Sequence, residues 1–339
     1  MQDALIPAAD DLLGEALRWH AAGRAVALAT VVETWGSAPR PAGSLLVCTA
    51  DGQFIGSVSG GCVEVAVIEA AAQVLASGQT QLLSFGVSDE QAWSVGLACG
   101  GRIRVFVEPV AGRDREAVLQ QVQAARLAGQ SVVRAVALDG STAQCLRPGA
   151  GATGVADAVA GALAADRAIV RVQDDCEWLL VPFNPPLQLV VVGAVHISQA
   201  LCRMALELGY RVTVIDPRTA FARPELFPGV QLLAQWPQEA FATLQVDART
   251  AVVLLTHDPK IDDPALDCVR DSAAFYIGAL GSTRTQAKRL QRLAEAGWQP
   301  DQLARIHGPA GLAIGARTPA EIAVSVLAQI TQRLRQAPA

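Results

Sequence analysis

The stretch LQLVVVGAVHISQALCRMALELGYRVTVIDPR (residues 187–218) decides the fold. An apolar, strand-like run bends at Gly193, continues with apolar residues at helical spacing, and closes on a second β-rich run ending at Asp216. Strand, glycine turn, helix and strand within about 30 residues make a β–α–β unit. Further along, TAVVLLTH (250–257) and AFYIGALG (274–281) are strand-like, and each leads into a helical stretch. This alternation predicts a parallel, doubly wound, Rossmann-like sheet over residues 186–339. Its last element is the apolar helix TPAEIAVSVLAQITQRL (318–334), where Thr318 and Glu321 are spaced as a capping box and Pro319 takes the first helical position.

A dinucleotide fingerprint belongs in VVVGAVHISQAL (190–201), but only its first glycine, Gly193, is present. Val195 stands where a pyrophosphate would approach the backbone; Ser198, at the third position, is small enough for close helix–strand packing. Two readings stay open: a scaffold without dinucleotide, or a different phosphorylated group held at the helix start. Asp216 stands where an acidic residue would meet a ribose hydroxyl. His196 is either a ligand contact or a histidine bonded to the helix start. His257 is expected at the carboxyl edge of the sheet with Asp258 as a polar neighbour, and Arg284 in GALGSTRT (278–285) is placed to meet an anion.

Upstream, residues 1–185 read as a second α/β domain, with little motif signal over 111–185. An amphipathic helix (9–22) precedes the β-rich runs AVALATVVET (25–34) and GSLLVCTA (43–50); a helix is expected over 63–77 and another over 115–128. RPGAGATGVADAVAGALAAD (147–166) gives a weak signal among short strands, and VPFNPP (181–186) reads as the linker.

The 339 residues are too many for one ordinary core. With 51% hydrophobic and 17% charged residues, the chain is globular rather than disordered. Net charge is −5 and no Lys/Arg cluster stands out, so nucleic acid is not an expected partner. No run approaches the roughly 20 apolar residues of a membrane span, and no signal peptide is recognised, so a cytoplasmic protein is expected. The seven cysteines (Cys48, Cys62, Cys99, Cys145, Cys176, Cys202, Cys268) are odd in number and lack C-x-x-C spacing, which predicts free thiols, mostly core-filling.

Three Gly-rich loops carry the candidate chemistry: GSAPRPAG (36–43, with Ser37 and Arg40), SGGCVE (59–64, with Gly60, Gly61, Cys62 and Glu64) and ACGG (98–101, with Cys99 and Gly100). The helix after GGC is expected to direct free N–H groups and its positive dipole end outward, so a thiol in its first turn ionises readily. Such a thiolate suits a soft metal centre, and Arg40 suits a phosphate or the thiolate itself. Cys62 equally fits as a small apolar residue in a tight contact. Cys99 precedes a strand and reads as packing. No G-x-S-x-G, H-E-x-x-H or P-loop is present.

The segments GSAPRPAGSLLV, GSVSGGCVE, ACGGRIRVFVEP, YIGALGS and PAGLAIGARTPAEIAVSVLAQI, in this order, resemble the motifs of the XdhC/CoxI family of xanthine dehydrogenase accessory proteins. The resemblance runs from about residue 25 to the C-terminus. It implies a cytoplasmic, dimeric chaperone without turnover of its own. Such a chaperone binds molybdenum cofactor (molybdopterin, plain or nucleotide-extended), protects it while a cysteine desulfurase replaces an oxo ligand by sulfido, and delivers it to an apo-molybdoenzyme. The family's cofactor-linked cysteine falls on Cys62, which makes that thiol the expected molybdenum contact. With Cys62 so placed, the residues read above complete the candidate cofactor-binding set: the three loops and, in the Rossmann-like half, Gly193, His196, Asp216, His257 and Arg284. Two positions depart from the family pattern: G-A-G-H reads GAVH, and G-L-D-I-G-A reads GLAIGA with Ala313. NAD(P) is therefore disfavoured. An NAD(P)-dependent oxidoreductase is the rival reading, and a purely structural adaptor with a dispensable Cys62 is a third.

Overall fold

AVALATVVET becomes the middle strand of a sheet buried on both faces, which is why it shows no alternation of apolar and polar residues. The computed structural model describes residues 11–36, 40–61, 63–86, 101–112, 114–150 and 155–336. The chain divides into two units, one ending at Pro185 and the other beginning at Pro186.

In the first unit, β1 (Val26–Trp35), β2 (Leu45–Thr49), β3 (Phe54–Gly56), β4 (Gln81–Phe85) and β5 (Arg102–Pro109) form an antiparallel sheet of order β3-β2-β1-β5-β4. Ala27, Ala29, Val31, Leu46 and Val105 face helix α2 (Glu64–Ser77), which covers them with Val67, Ala71 and Val74. On the other face Val26, Leu28, Val47 and Phe106 pack with helices α1 (Leu12–Ala21) and α3 (Arg115–Leu127) through Leu13, Leu119 and Val122. That same core takes in a second antiparallel sheet: β6 (Val132–Ala137), β7 (Ala143–Leu146), β8 (Ile169–Gln173) and β9 (Cys176–Phe183), ordered β7-β6-β9-β8. Each buried side chain of Val or Leu size contributes about 1.5–3 kcal/mol, so the shared core is what holds the two sheets as one unit.

Two expectations are corrected here. The weak segment 147–166 contains a helix, α4 (Val155–Ala165), because its alanines favour helix and Ala158, Val159 and Ala162 cover Val133, Ala135 and Leu180. The linker is also shorter than VPFNPP: Val181–Phe183 complete β9 against β6. Pro182 is tolerated because β8 pairs only as far as Leu180, so β9 is an edge beyond that point.

The second unit holds a parallel sheet of order β12-β11-β10-β13-β14-β15. Its strands are β10 (Gln188–Val192), β11 (Arg211–Ile215), β12 (Gln231–Leu233), β13 (Thr250–Leu254), β14 (Tyr276–Ala279) and β15 (Ile306–His307). Along β10, Leu189 and Val191 face helices α5 (His196–Glu207) and α10 (Pro319–Gln336). Val190 and Val192 face the opposite core, whose cover includes α7 (Pro259–Val269) and α8 (Thr283–Glu295). Between them lie the short α6 (Pro237–Phe241) and α9 (Pro300–Ala304). The strand order reverses between β10 and β13, which puts a crevice at their carboxyl ends. The α10 capping box forms: Glu321 accepts from Thr318 N–H at 2.9 Å, and Thr318 Oγ accepts from Glu321 N–H at 3.3 Å. Among the described residues no helix is long and apolar enough to cross a membrane.

Candidate functional site

Glu64, the first residue of α2, is 7% exposed and draws the preceding loop around its carboxylate. Oε1 accepts from the N–H groups of Val58 (3.2 Å), Ser59 (2.8 Å) and Gly60 (3.0 Å) and from Ser57 Oγ (2.7 Å). Oε2 accepts from Gly61 N–H at 2.8 Å and Ser59 Oγ at 2.5 Å. Wrapping successive amides about one anion requires left-handed backbone, and Gly60 (φ 79°) and Gly61 (φ 120°) supply it. Burial alone would raise the Glu64 carboxyl, but the Ser59, Ser57 and backbone hydrogen bonds outweigh it and bring the pKa down to about 2.

The amides of Val58–Gly61, which precede the helix, are thus given to Glu64 and not offered to a ligand. Glu64 holds the Ser57–Gly61 loop in place. Cys62 itself, with Ser37, Cys99 and Gly100, lies outside the described residues. Of the other thiols, Cys48 and Cys202 are buried as core, and burial pushes them up to about 11 and about 12. Cys268 is exposed, against the expectation of core filling.

The strand that leads into this loop also borders a cavity of about 660 Å³ within the first unit. Arg40, Ser44 and Ser57 contribute polar wall, and Leu12, Ile55 and Phe183 apolar wall. Arg40 is exposed and makes no hydrogen bond or ion pair among the described residues. Asp11, Glu15 and Arg126 also line the cavity; Asp11 pairs with Arg126 at 3.0 Å and Glu15 with Arg18, which leaves Arg40 as the cation that could meet an anionic group on a flat heterocycle.

In the second unit the fingerprint loop is tied up internally. Gly193 (φ 117°) is required because a Cβ there would lie 2.8 Å from Thr256 Cγ2 and 3.1 Å from Thr256 N. Asp216 is fully buried; its Oδ2 accepts from Ala194 N–H at 2.8 Å, and Arg218 closes a bidentate pair on it at 2.9 and 2.7 Å. Burial would raise this carboxyl, but the Arg218 and backbone hydrogen bonds hold it below its usual range. Asp216 therefore braces the glycine turn from inside. Ser198 is buried and donates to Val195 O at 2.5 Å, giving the close packing expected of it, while Val195 leans on the α5 core and His196 is exposed.

His257 follows β13 in left-handed backbone (φ 60°) and shares the wall of a second cavity, of about 400 Å³, with Arg284. Asp258 does not pair with His257; it caps α7 by accepting from Lys260 N–H at 2.9 Å. Asp262, Lys288 and Arg289 complete a setting that residue-by-residue reading missed. The signal was present in RTQAKRLQR, where Arg284, Lys288 and Arg292 recur every four residues.

Comparison with known proteins places these features. The model of the XdhC and CoxI family matches residues 19–86, and that of the XdhC Rossmann domain matches 189–330. The chain is 31% identical over 317 residues to the molybdenum cofactor insertion chaperone PaoD of Escherichia coli, covering 93% of this chain and 85% of that protein. It is 28% identical over 311 residues to a probable xanthine dehydrogenase subunit of Bacillus subtilis, covering 90% of this chain and 92% of the other. A crystal structure of a xanthine dehydrogenase from Bacillus halodurans shares the fold, with a TM-score of 0.74 at 24% identity over 96% of both chains. The intact N-terminal motifs, the parallel sheet and these matches together establish that the chain belongs to the XdhC/CoxI family.

Proposed function

We propose that this protein is an accessory chaperone of molybdoenzyme maturation. Its cargo is the molybdenum cofactor, plain or nucleotide-extended. It holds the cargo while a cysteine desulfurase exchanges an oxo ligand for sulfido, then delivers it to an apo-enzyme of the xanthine dehydrogenase type. It acts in the cytoplasm as a homodimer and has no turnover of its own.

The observation that carries this reading is the Glu64-held loop, which precedes Cys62 and adjoins the 660 Å³ cavity. The kinship with a protein named as a molybdenum cofactor insertion chaperone supports the choice of cargo. The residues fit it: Arg40 is the cation for a phosphate, the Ser44 and Ser57 hydroxyls serve the polar ring edge, and Leu12, Ile55 and Phe183 pack the ring face. The cargo brings a soft metal centre, for which a thiolate at Cys62 is the matching donor. A dinucleotide is not assigned to the Gly193 turn, because Asp216 already accepts from Ala194 N–H.

Purification after co-expression with a cofactor-synthesis pathway, followed by metal and pterin analysis, tests the reading. Cys62→Ser is expected to retain at least about tenfold less cofactor, since a near-isosteric hydroxyl is a hard, un-ionised donor. Its thermal transition should stay that of the wild type, and Cys99→Ser should retain cofactor. Equal cofactor content in Cys62→Ser and wild type overturns the assignment.

A further inference from the structure

Helix α8 carries its charges against its own stability. Arg284, Lys288 and Arg292 follow one another at i, i+4 and i+8, where like charges on a helix face repel. Arg284 also sits in the first turn, beside the positive end of the helix dipole, and that turn contains no acidic residue. Arg292 is neutralised by a bidentate pair with Asp263, both bonds being 2.9 Å. Arg284 and Lys288 are exposed and have no partner among the described residues, yet both border the 400 Å³ cavity beside His257.

A second, independent feature lies in the same wall. Arg289 is 2% exposed. One of its terminal nitrogens donates to Gln286 Oε1 at 2.7 Å, and the other donates to Leu280 O at 3.0 Å and stands 3.6 Å from Asp262. Its Nε–H is buried with no acceptor among the described residues. An unmet buried donor on a cation costs more than the repulsion on the helix surface. The acidic group facing the cavity, Asp262, accepts from Thr256 Oγ at 2.6 Å and is held by Arg289, so it does not neutralise Arg284 or Lys288.

We infer that this cavity, at the carboxyl ends of β13 and β14, is a binding site for the phosphate of a mononucleotide-sized phosphomonoester. Two exposed cations side by side, with the buried Arg289 guanidinium behind them, match a dianion better than a carboxylate, which would leave one cation unmatched. The volume is at the small end of ligand pockets and suits one nucleotide unit rather than two. The cavity's lining residues follow β13 and β14 and do not include the Gly193 turn, so the site does not depend on the missing glycines. His257 and Arg284 are also candidate cofactor contacts, but the inference rests on the second unit and not on Cys62.

Isothermal titration of the full chain with inorganic phosphate, adenosine 5′-monophosphate and adenosine tests the site. Both phosphate-bearing probes are expected to bind, with affinity that falls as NaCl is raised, and adenosine is not. The double substitution Arg284→Ala, Lys288→Ala alters exposed side chains and should leave the thermal transition unchanged. It is expected to weaken phosphate binding roughly ten- to a hundredfold. Lys288→Glu should weaken it at least as much. The inference is overturned if neither phosphate probe binds at about 10 mM, if adenosine binds as well as its monophosphate, or if the double variant binds phosphate as the wild type does. Loss of cofactor in Cys62→Ser with phosphate binding intact separates the two assignments.

Discussion

Glu64→Gln is expected to release the Ser57–Gly61 loop and to cost the first unit about 3 kcal/mol near neutral pH. The carboxylate accepts six hydrogen bonds, whereas an amide presents one oxygen and turns an NH2 group toward donors that need an acceptor. The pKa gives the same scale: folding lowers it from 4.5 to about 2, and each unit corresponds to about 1.4 kcal/mol. Because the folded value is the lower one, this stability is fully present above pH 4.5 and is lost as the pH falls toward 2. The difference in unfolding free energy between wild type and variant should therefore be constant from neutrality down to about pH 5 and shrink below it. Hydrogen exchange at the Val58–Gly61 amides should accelerate by roughly a hundredfold in the variant at pH 7. Unchanged exchange there would show that Glu64 does not hold the loop. Cofactor retention should fall with the loop, because the loop directly precedes Cys62.

Glu108→Ala is expected to destabilise the first unit by about 3–5 kcal/mol. Glu108 on β5 is 1% exposed and pairs with Arg134 of β6 at 2.5 Å and with Arg115 of α3 at 3.4 Å. Removing the one anion leaves two arginines that are 1% and 7% exposed without a counter-charge. Arg115 keeps its bond to Gly140 O at 2.9 Å, but among the described residues the Arg134 Nε already lacks an acceptor and Glu108 is the only charged partner of Arg134. Glu108→Met with Arg134→Met should recover the share owed to Arg134, because well-packed apolar side chains often replace a buried ion pair without penalty, while Arg115 still lacks its counter-charge. Urea denaturation of the single and double variants measures both terms. A single variant within about 1 kcal/mol of wild type would mean that water or relaxation solvates the arginines.

How much of this was legible in the sequence varies with the range of the interaction. The β–α–β unit, the parallel sheet and the α10 cap were readable because each is written in local spacing: apolar runs, a turn glycine, and a Thr and a Glu three residues apart. The ordered motifs identified the family for the same reason, since each loop is contiguous in the chain. Ser198 was read correctly as a packing residue because small size is a property of the residue itself.

What only the tertiary structure decided is where the charged groups are directed. Glu64 and Asp216 looked like ligand contacts, but their carboxylates turn inward and bind the backbone of their own loops. A sequence gives the charge but not the direction of the side chain, and direction determines whether an amide is offered to a ligand or already taken. Helix α4 and the end of β9 were likewise settled by partners distant in sequence, Val133 and Ala135, which supply the burial that alanines and a proline cannot announce. The cavity beside His257 required two βα connections to meet, at β13 and β14. The basic stripe of α8 was visible as spacing, but its nearness to an unmet buried guanidinium was fixed only by folding, because burial is a property of the packed chain and not of any segment of it.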